Sequence, residues 1–227
     1  DKIWYTLICF FFSFLNRIKS VKKSLTDGFS LFSFDLKEIK YSAYTTYLDG
    51  IKNGVTTVFD HHASAGKVIG SLNTIADVAK EVGVRTSLCY EVSDRDGQIV
   101  SDEGVKENAD FIQYANKQND DMIKAMFGMH ASFTISQDTM EKCVEAAGDA
   151  GFHIHVAEGA DDQKDSIAKY NKRVVQRLYD SKVLKSNTIA VHCIHVDDSE
   201  IELLKETDSI VAHNPESNMG NAVGCSK

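Results

Sequence analysis

The sequence predicts an α/β fold in which short apolar strands alternate with amphipathic helices. Six alternations follow one another between residues 35 and 212, at spacings of roughly 20 to 40 residues, which is the period of βα units. Hydrophobic residues make up 43% of the 227 residues and charged residues 26%, as in globular proteins that bury a core. Eight histidines lie within the predicted strands or directly after them. Together these observations predict a parallel sheet covered by helices.

The first half of the repeat shows helical apolar spacing and β-branched runs in turn. Gly54 and Gly83 are typical helix ends, and Val55 to Phe59 is a β-branched run that favours a strand. The predicted elements are a helix at 35–52, a strand at 55–59, a helix at 69–82, a strand at 84–92, a polar helix at 103–116 and a strand at 123–129.

The second half continues the same alternation. Ser136 is a helix N-cap and Gly151 is the predicted stop of that helix. Asp197 and Asp198 open a short helix near the end of the chain. The predicted elements are a helix at 136–150, a strand at 152–157, a charged helix at 164–179, a strand at 188–194, the short helix and a strand at 209–212.

Two architectures contain such units, an open doubly wound sheet and a closed (β/α)8 barrel. No glycine-rich phosphate loop follows the first strand, so the sequence does not indicate a nucleotide site of that kind. Most histidines lie at the C-terminal ends of strands, and they come from five of the six strands. In a barrel these ends converge on one mouth, where catalytic residues gather. The histidines therefore favour the barrel.

His155 and Glu158 lie three residues apart at a strand end, a spacing that by itself often arises by chance. One imidazole beside one carboxylate suits a metal ligand next to a proton-transferring group. His192 ends the following strand. After the last strand come His213, Asn214 and Asn218, whose polar side chains could bind a polar ligand, although a capped turn is the simpler interpretation.

Three further histidines need a placement. His153 shares a strand face with His155 and is interpreted as a deeper buried residue. His61 and His62 are adjacent, so at most one of them points into the barrel.

Residues 1–35 form an atypical N-terminal segment, and 36–227 form the predicted barrel domain. The segment contains an uncharged apolar run, Ile3 to Leu15, which is shorter than the roughly 20 residues of a membrane span. A buried strand or helix, or a foreign N-terminus, fits at least as well, and a membrane anchor is the weaker alternative. A net charge of −8 without a basic stripe argues against nucleic acid. Five scattered cysteines indicate reduced thiols in the cytoplasm.

Several motifs in order resemble the amidohydrolase superfamily, in its cytosine deaminase and chlorohydrolase-like branch, and most of all aminohydrolases of the SsnA type. The resemblance covers about residues 36–227. It is carried by GVTTVFDHHAS (54–64), LCYEVSDRDG (88–97), FGMHASFTIS (127–136), HIHVAE (153–158), AVHCIH (190–195) and HNPESNMGNAVGCS (213–226).

The resemblance implies an incomplete (β/α)8 barrel containing family strands two to seven, and one divalent metal ion, zinc or iron. It places His155 as a metal ligand, Glu158 as the proton shuttle and His192 as the group that orients the attacking water. It places His130 in contact with a small nitrogen-rich substrate. Members of the family are hydrolases of C–N bonds outside peptides, such as deaminases, and they often form homo-oligomers.

The sequence also departs from the family pattern. The family takes further ligands from a His-x-His on its first strand and an Asp on its eighth, and neither appears in this chain. We therefore expect the chain to be a fragment that is inactive alone. The alternative is a non-catalytic degenerate relative or a mis-joined reading frame that keeps part of the fold. If metal binds in stoichiometric amount, His61, His62 or His130 become candidate ligands.

Overall fold

The computed structural model describes residues 7–8, 35–118 and 120–225. The strands of this part of the chain are β1 (Leu7–Ile8), β2 (Thr57–His62), β3 (Arg85–Tyr90), β4 (Ile123–Ala125), β5 (Phe127–Ala131), β6 (Phe152–Val156), β7 (Ile189–His192) and β8 (Ile210–Ala212). The helices are α1 (Leu36–Lys52), α2 (Ser71–Val82), α3 (Gln98–Gln118), α4 (Gln137–Ala147), α5 (Ala160–Tyr170), α6 (Val174–Asp180), α7 (Asp198–Glu206) and α8 (Pro215–Gly220).

The strands pair in the order in which they occur along the chain, and every pair is parallel. One sheet has the order β1-β2-β3-β4 and the other β5-β6-β7-β8. Only Met126 separates β4 from β5, and its amide donates to the carbonyl of Leu88 over 3.0 Å. A parallel bridge between Val92 and Met129 joins the two sheets. This unreversed order is that of a barrel sector and not of a doubly wound sheet, so the predicted incomplete barrel is confirmed.

The core lies between the sheet and its helices. Under the first sheet it contains Leu72 and Leu88, both fully buried, with Phe111 of α3 against them. Under the second sheet Phe127 and Phe152 pack ring against ring, with centroids 5.7 Å apart. Apolar side chains therefore fill the layer between the sheet and the helices. The polar residues at the strand ends lie on the opposite face of the sheet.

Several predicted bounds differ from the structure. The strand expected at 123–129 is two strands, β4 and β5, and the helix expected at 103–116 is α3, which begins at Gln98. The charged helix expected at 164–179 is two helices, because Asn171 adopts a left-handed conformation (φ 52°) that ends α5. Gly148, and not Gly151, follows the end of α4. Gly151 instead permits a close approach: a Cβ there would lie 1.8 Å from the carbonyl oxygen of Asn187.

The N-terminal apolar run contributes β1, which pairs with β2 in parallel at Leu7↔Val58 and Ile8↔Phe59. The remainder of the predicted segment up to residue 34, including the Phe-rich stretch, lies outside the described residues. Within the part that is described, no helix is both long and apolar enough to cross a membrane. Cys143, Cys193 and Cys225 are free thiols.

Candidate active site

Five titratable side chains from different strands meet at the C-terminal ends of the sheet. His61 comes from β2, Glu91 directly follows β3, and His130, His155 and His192 come from β5, β6 and β7. The ring centroid of His155 lies 4.7 Å from that of His61, 5.4 Å from that of His130 and 5.6 Å from that of His192. His155 is therefore the centre of the group, as expected of strands whose ends converge.

Hydrogen bonds fix the orientation of His155 and His192. Nδ1 of His155 donates to the carbonyl oxygen of His130 over 2.8 Å. Nδ1 of His192 donates to Oδ1 of Asn218 over 2.7 Å. Because both acceptors are oxygens without a proton, each ring carries its proton on Nδ1 when neutral, and Nε2 keeps its lone pair.

His130 is fixed in the same way. The hydroxyl of Thr134 donates to the carbonyl of Ala131, so it accepts from Nδ1 of His130, which lies 2.8 Å away. Burial lowers the pKa of His130 to about 2, and the neighbouring His155 adds to the effect. Burial also lowers the pKa of His155 to about 4, assisted by His192. Neutral imidazoles with free Nε2 atoms are the form that binds metal ions.

Glu158 follows β6 and faces His192 at the rim of this group. Its Oε2 lies 3.7 Å from Nε2 of His192, and its Oε1 accepts a hydrogen bond from Nδ2 of Asn221 over 2.9 Å. The side chain is 29% exposed, so a proton or a substrate can reach it. A carboxylate held in place on one oxygen and open on the other can accept and deliver a proton.

The backbone beneath these side chains is strained. Ala157 (φ 45°), His192 (φ 72°) and Cys193 (φ 49°) all adopt positive φ angles at the ends of β6 and β7. The amide of Ala157 donates to Oδ2 of Asp162 over 3.0 Å, which holds this turn. Non-glycine residues with positive φ cluster at functional sites because the surrounding structure must hold them.

Glu91 is a second carboxylate that the sequence analysis did not identify. Its Oε1 accepts from Nη2 of Arg95 over 2.7 Å, and its Oε2 lies 3.7 Å from Nδ1 of His61. Burial raises the pKa of Glu91 to about 7 against the opposing charge of Arg95. The sequence signal that could have identified Glu91 is a charged residue directly after an apolar strand. Asn221, which donates to Glu158, has no comparable signal in the sequence.

His61 and His62 occupy opposite faces, as their adjacency predicts. His61 is buried and stacks on His153, with centroids 4.6 Å apart and an interplanar angle of 19°. Neither ring nitrogen of His61 makes a hydrogen bond of normal geometry, although the backbone of Met129 is near enough to oppose the lowering of its pKa. Burial, followed by the charge of the neighbouring histidines, holds the pKa of His61 well below its usual value. His62 lies 2.8 Å from the hydroxyl of Ser64 on the other face.

The remaining predicted residues lie around α8. His213 is exposed, and Asn214 precedes the helix and makes no side-chain cap hydrogen bond. Asn218 is buried and holds His192. The segment for which a capped turn was the alternative interpretation is thus a short helix, Pro215–Gly220. The structure brings His155, Glu158, His192, His130 and Asn218 together.

One group among the described residues could hold a metal ion. His61, Glu91 and His155 each offer a ligand atom from a buried side chain, and these atoms lie within 4.8 Å of one another. Two imidazoles and a carboxylate are a frequent donor set of catalytic zinc. The metal that the resemblance implies therefore fits the residues present.

Comparisons with known proteins found similar sequences and similar structures. The sequence profile described as "Amidohydrolase family" matches residues 11–227, so it extends into the segment that the motifs did not reach. A 5-methylthioadenosine/S-adenosylhomocysteine deaminase of Thermoanaerobacter pseudethanolicus is 28% identical over 212 residues, covering 90% of this chain and 49% of the relative. A 5'-deoxyadenosine deaminase of Methanopyrus kandleri is 29% identical over 194 residues, covering 85% and 43%.

Solved structures agree on the fold. An adenosine deaminase from Xanthomonas campestris, with bound zinc, superposes with a TM-score of 0.75 at 23% identity. The match covers 95% of this chain and 46% of that protein. The chain thus spans about half the length of the relatives that it matches.

Proposed function

The chain belongs to the amidohydrolase family, and on this premise we propose that it carries the catalytic residues of a metal-dependent hydrolytic deaminase. The observation that supports the proposal is the proximity of Glu158, His192 and His155: Oε2 of Glu158 lies 3.7 Å from Nε2 of His192, and the rings of His155 and His192 are 5.6 Å apart. The relatives named above are deaminases of adenosine derivatives. We propose an amino-substituted nitrogen heterocycle of this class as the substrate and the cytoplasm as the place of action.

A divalent ion, zinc or iron, lowers the pKa of a bound water molecule towards neutrality and so provides a nucleophile at neutral pH. His155 is the proposed ligand from the family motif. Glu158 accepts the proton of the attacking water on Oε2 and passes it to the amino group that leaves as ammonia. His192 presents Nε2 to the attacking oxygen, held in place by Asn218 through Nδ1.

Binding of the substrate is proposed for side chains around this mouth. His130 is fixed by Thr134 through Nδ1, and its Nε2 lies 4.0 Å from Oε1 of Glu91. His213 is exposed and Asn214 is half-buried at the end of β8, where polar atoms could contact a sugar or ring substituent. Asn218 faces His192, so its contribution runs through that histidine.

The test is ammonia release from adenosine, 5'-deoxyadenosine and 5-methylthioadenosine by the zinc-loaded chain. We expect Glu158→Gln to lower kcat/KM by about 10²- to 10⁴-fold, the usual contribution of a general acid or base. Glu145→Gln, which changes an exposed carboxylate on α4, is the matched control. In a preparation that releases ammonia, an unchanged kcat/KM in Glu158→Gln would contradict the proposal.

The expected inactivity of the isolated chain bears on this test. That expectation counts His155 as the one family-type ligand. In the structure, however, His61 and Glu91 stand beside His155. Activity of the isolated chain therefore depends on whether these two side chains complete a metal site.

A further inference from the structure

We propose that His195 is a positioning residue that keeps Glu158 against its hydrogen-bond partner Asn221. The inference rests on the proposed function, because that function assigns the proton transfer to Glu158. His195 lies just beyond the end of β7, in the same motif as His192. The proposed chemistry does not use its side chain. His195 nevertheless contacts both chain segments from which the Glu158–Asn221 pair comes.

The backbone of His195 holds the segment that carries Glu158. Its amide donates to the carbonyl oxygen of Ala157 over 3.0 Å, and Ala157 directly precedes Glu158. Ala157 has a positive φ of 45°, a conformation that a residue other than glycine keeps only when its surroundings hold it. The hydrogen bond from His195 is one of the contacts that hold Ala157, and the bond from the Ala157 amide to Asp162 is another.

The side chain of His195 holds the turn that carries Asn221. Its Nε2 lies 3.0 Å from the carbonyl oxygen of Val223, two residues after Asn221. Because a carbonyl oxygen only accepts, Nε2 carries the proton and donates it to this bond. Asn221 in turn donates from Nδ2 to Oε1 of Glu158 over 2.9 Å. One histidine therefore joins, through its backbone and its ring, the two segments whose side chains meet in this hydrogen bond.

His195 is itself fixed from the helical layer. Its carbonyl oxygen accepts from Nε2 of Gln163 over 3.0 Å and from Nη2 of Arg173 over 2.9 Å. Both of these side chains also donate to the carboxylate of Glu200, which is buried on α7. Functional side chains keep their geometry when the residues that hold them are locked by hydrogen bonds of their own. His195 meets this condition, whereas Asn221 is exposed and depends on the tether.

The test separates Nε2 from the rest of the histidine ring. The amide nitrogen of glutamine reaches about as far from the backbone as Nε2 of histidine, and that of asparagine only about as far as Nδ1. His195→Gln therefore keeps a donor for Val223, and His195→Asn loses it. The readout is the side-chain amide proton of Asn221 in the NMR spectrum of the isotope-labelled full chain, identified as the signal that Asn221→Ala lacks. This readout does not require turnover.

We expect His195→Asn and Glu158→Gln to move this proton signal in the same direction, towards that of an amide in water, because either change weakens the bond that Asn221 donates. His195→Gln leaves the signal in place, and so does Met219→Ala, which changes an exposed side chain on α8. An unmoved signal in His195→Asn, or equal movement in His195→Asn and His195→Gln, would overturn the inference. Dispersed backbone signals check folding, and His195→Leu takes the place of His195→Asn if that variant unfolds.

Ammonia release gives the second readout. We expect His195→Asn to lower kcat about tenfold, the usual effect of losing one hydrogen bond to a charged group, with KM unchanged. In the Asn221→Ala background the same change adds no further loss, because His195 acts through Asn221. Equal losses in both backgrounds would overturn the positioning role. Full kcat/KM in Glu158→Gln, with amide signals that move as expected, would reject the proposed function and keep the tether of Asn221.

Discussion

At the residue scale, the side chain of Asn218 determines which nitrogen of His192 carries the proton. Removing the amide in Asn218→Ala frees Nδ1, so Nε2 is no longer held as the acceptor facing Glu158. We expect kcat to fall about 10- to 100-fold, the usual effect of losing an orienting partner, with little change in KM. Deamination kinetics measure this, with exposed Asn116→Ala as the control. A rise in KM alone would instead indicate the direct substrate contact that the sequence suggested.

Asp162 makes stability depend on pH. Burial raises its pKa to about 7, with Asp165 adding to the effect and Arg177 opposing it. Because the folded-state value lies above the unfolded one, the folded chain favours the protonated form. The stabilising contribution of Asp162 is complete below about pH 4 and is lost as the pH rises through 7. Each unit by which folding raises the pKa corresponds to about 1.4 kcal/mol of stability.

We therefore expect the free energy of unfolding to fall less in Asp162→Asn than in the parent chain when the pH is raised from about 5 to about 8. The difference is up to a few kcal/mol. Urea unfolding at several pH values measures the slope. Asp161→Asn is the control, because Asp161 is exposed and its pKa is lowered by Lys164, so it stays charged across this range. Parallel slopes in all three proteins would show that Asp162 is already ionised at about pH 5.

Sequence reasoning reached His155, Glu158 and His192 because each lies at a strand end in a short recognisable pattern. Their roles remain predictions. Glu91 was missed because its importance depends on the neighbouring strand: only the parallel pairing of His61 with Cys89 carries it towards His61. Asn221 was missed because its partner, Glu158, lies 63 residues earlier in the sequence, and only the turn after α8 brings the two side chains together.

At the element scale, a side chain of α3 caps the N-terminus of α2. Gly70 precedes α2 and offers no side-chain cap, while Glu107 accepts from the amides of Gly70 and Leu72, each over 2.9 Å. We expect Glu107→Ala to lower the free energy of unfolding by about 1–3 kcal/mol, because the buried amide of Leu72 and the half-buried amide of Gly70 lose their acceptor. Urea unfolding measures this against Glu103→Ala, an exposed carboxylate one turn earlier. Equal stability of the two variants would mean that water replaces the carboxylate.

Element positions followed from the apolar spacing, and the failures came from contacts between elements. α1 was predicted at 35–52 and found at Leu36–Lys52, where Asp35 and Glu38 form a reciprocal cap. The helix expected at 164–179 divides because the amide of Val174 donates to Gln163 and that of Val175 to Glu200. Such long-range partners for a helix N-terminus leave no mark on local periodicity.

At the scale of the whole molecule, the sequential parallel order follows from the repeat itself, because each strand–helix unit places its strand beside the previous one. The arrangement also explains how residues from β2, β6 and β7 share one mouth although they lie far apart in sequence. The sequence could not predict which nitrogen of each histidine, or which oxygen of Glu91, faces a given neighbour. These orientations depend on hydrogen bonds to Asn218, Arg95 and the carbonyl of His130.

The outer edge of β8, in the second sheet, is the surface at which we expect self-association. Among the described strands, β8 pairs only with β7, so its other edge offers unpaired backbone groups. Ile210 and Val211 on β8 are 51% and 48% exposed. Open apolar strand edges pair with other chains, and a lysine on the edge opposes this.

We expect the chain to associate as its concentration rises and Val211→Lys to shift the onset to higher concentration. Light scattering or sedimentation velocity over a concentration series measures the shift. Ile99→Lys is the control, because Ile99 is 77% exposed on α3 and lies away from any strand edge. If both lysine variants delay association equally, general charge and not the β8 edge is responsible. If neither does, the association surface lies elsewhere or the edge is already covered.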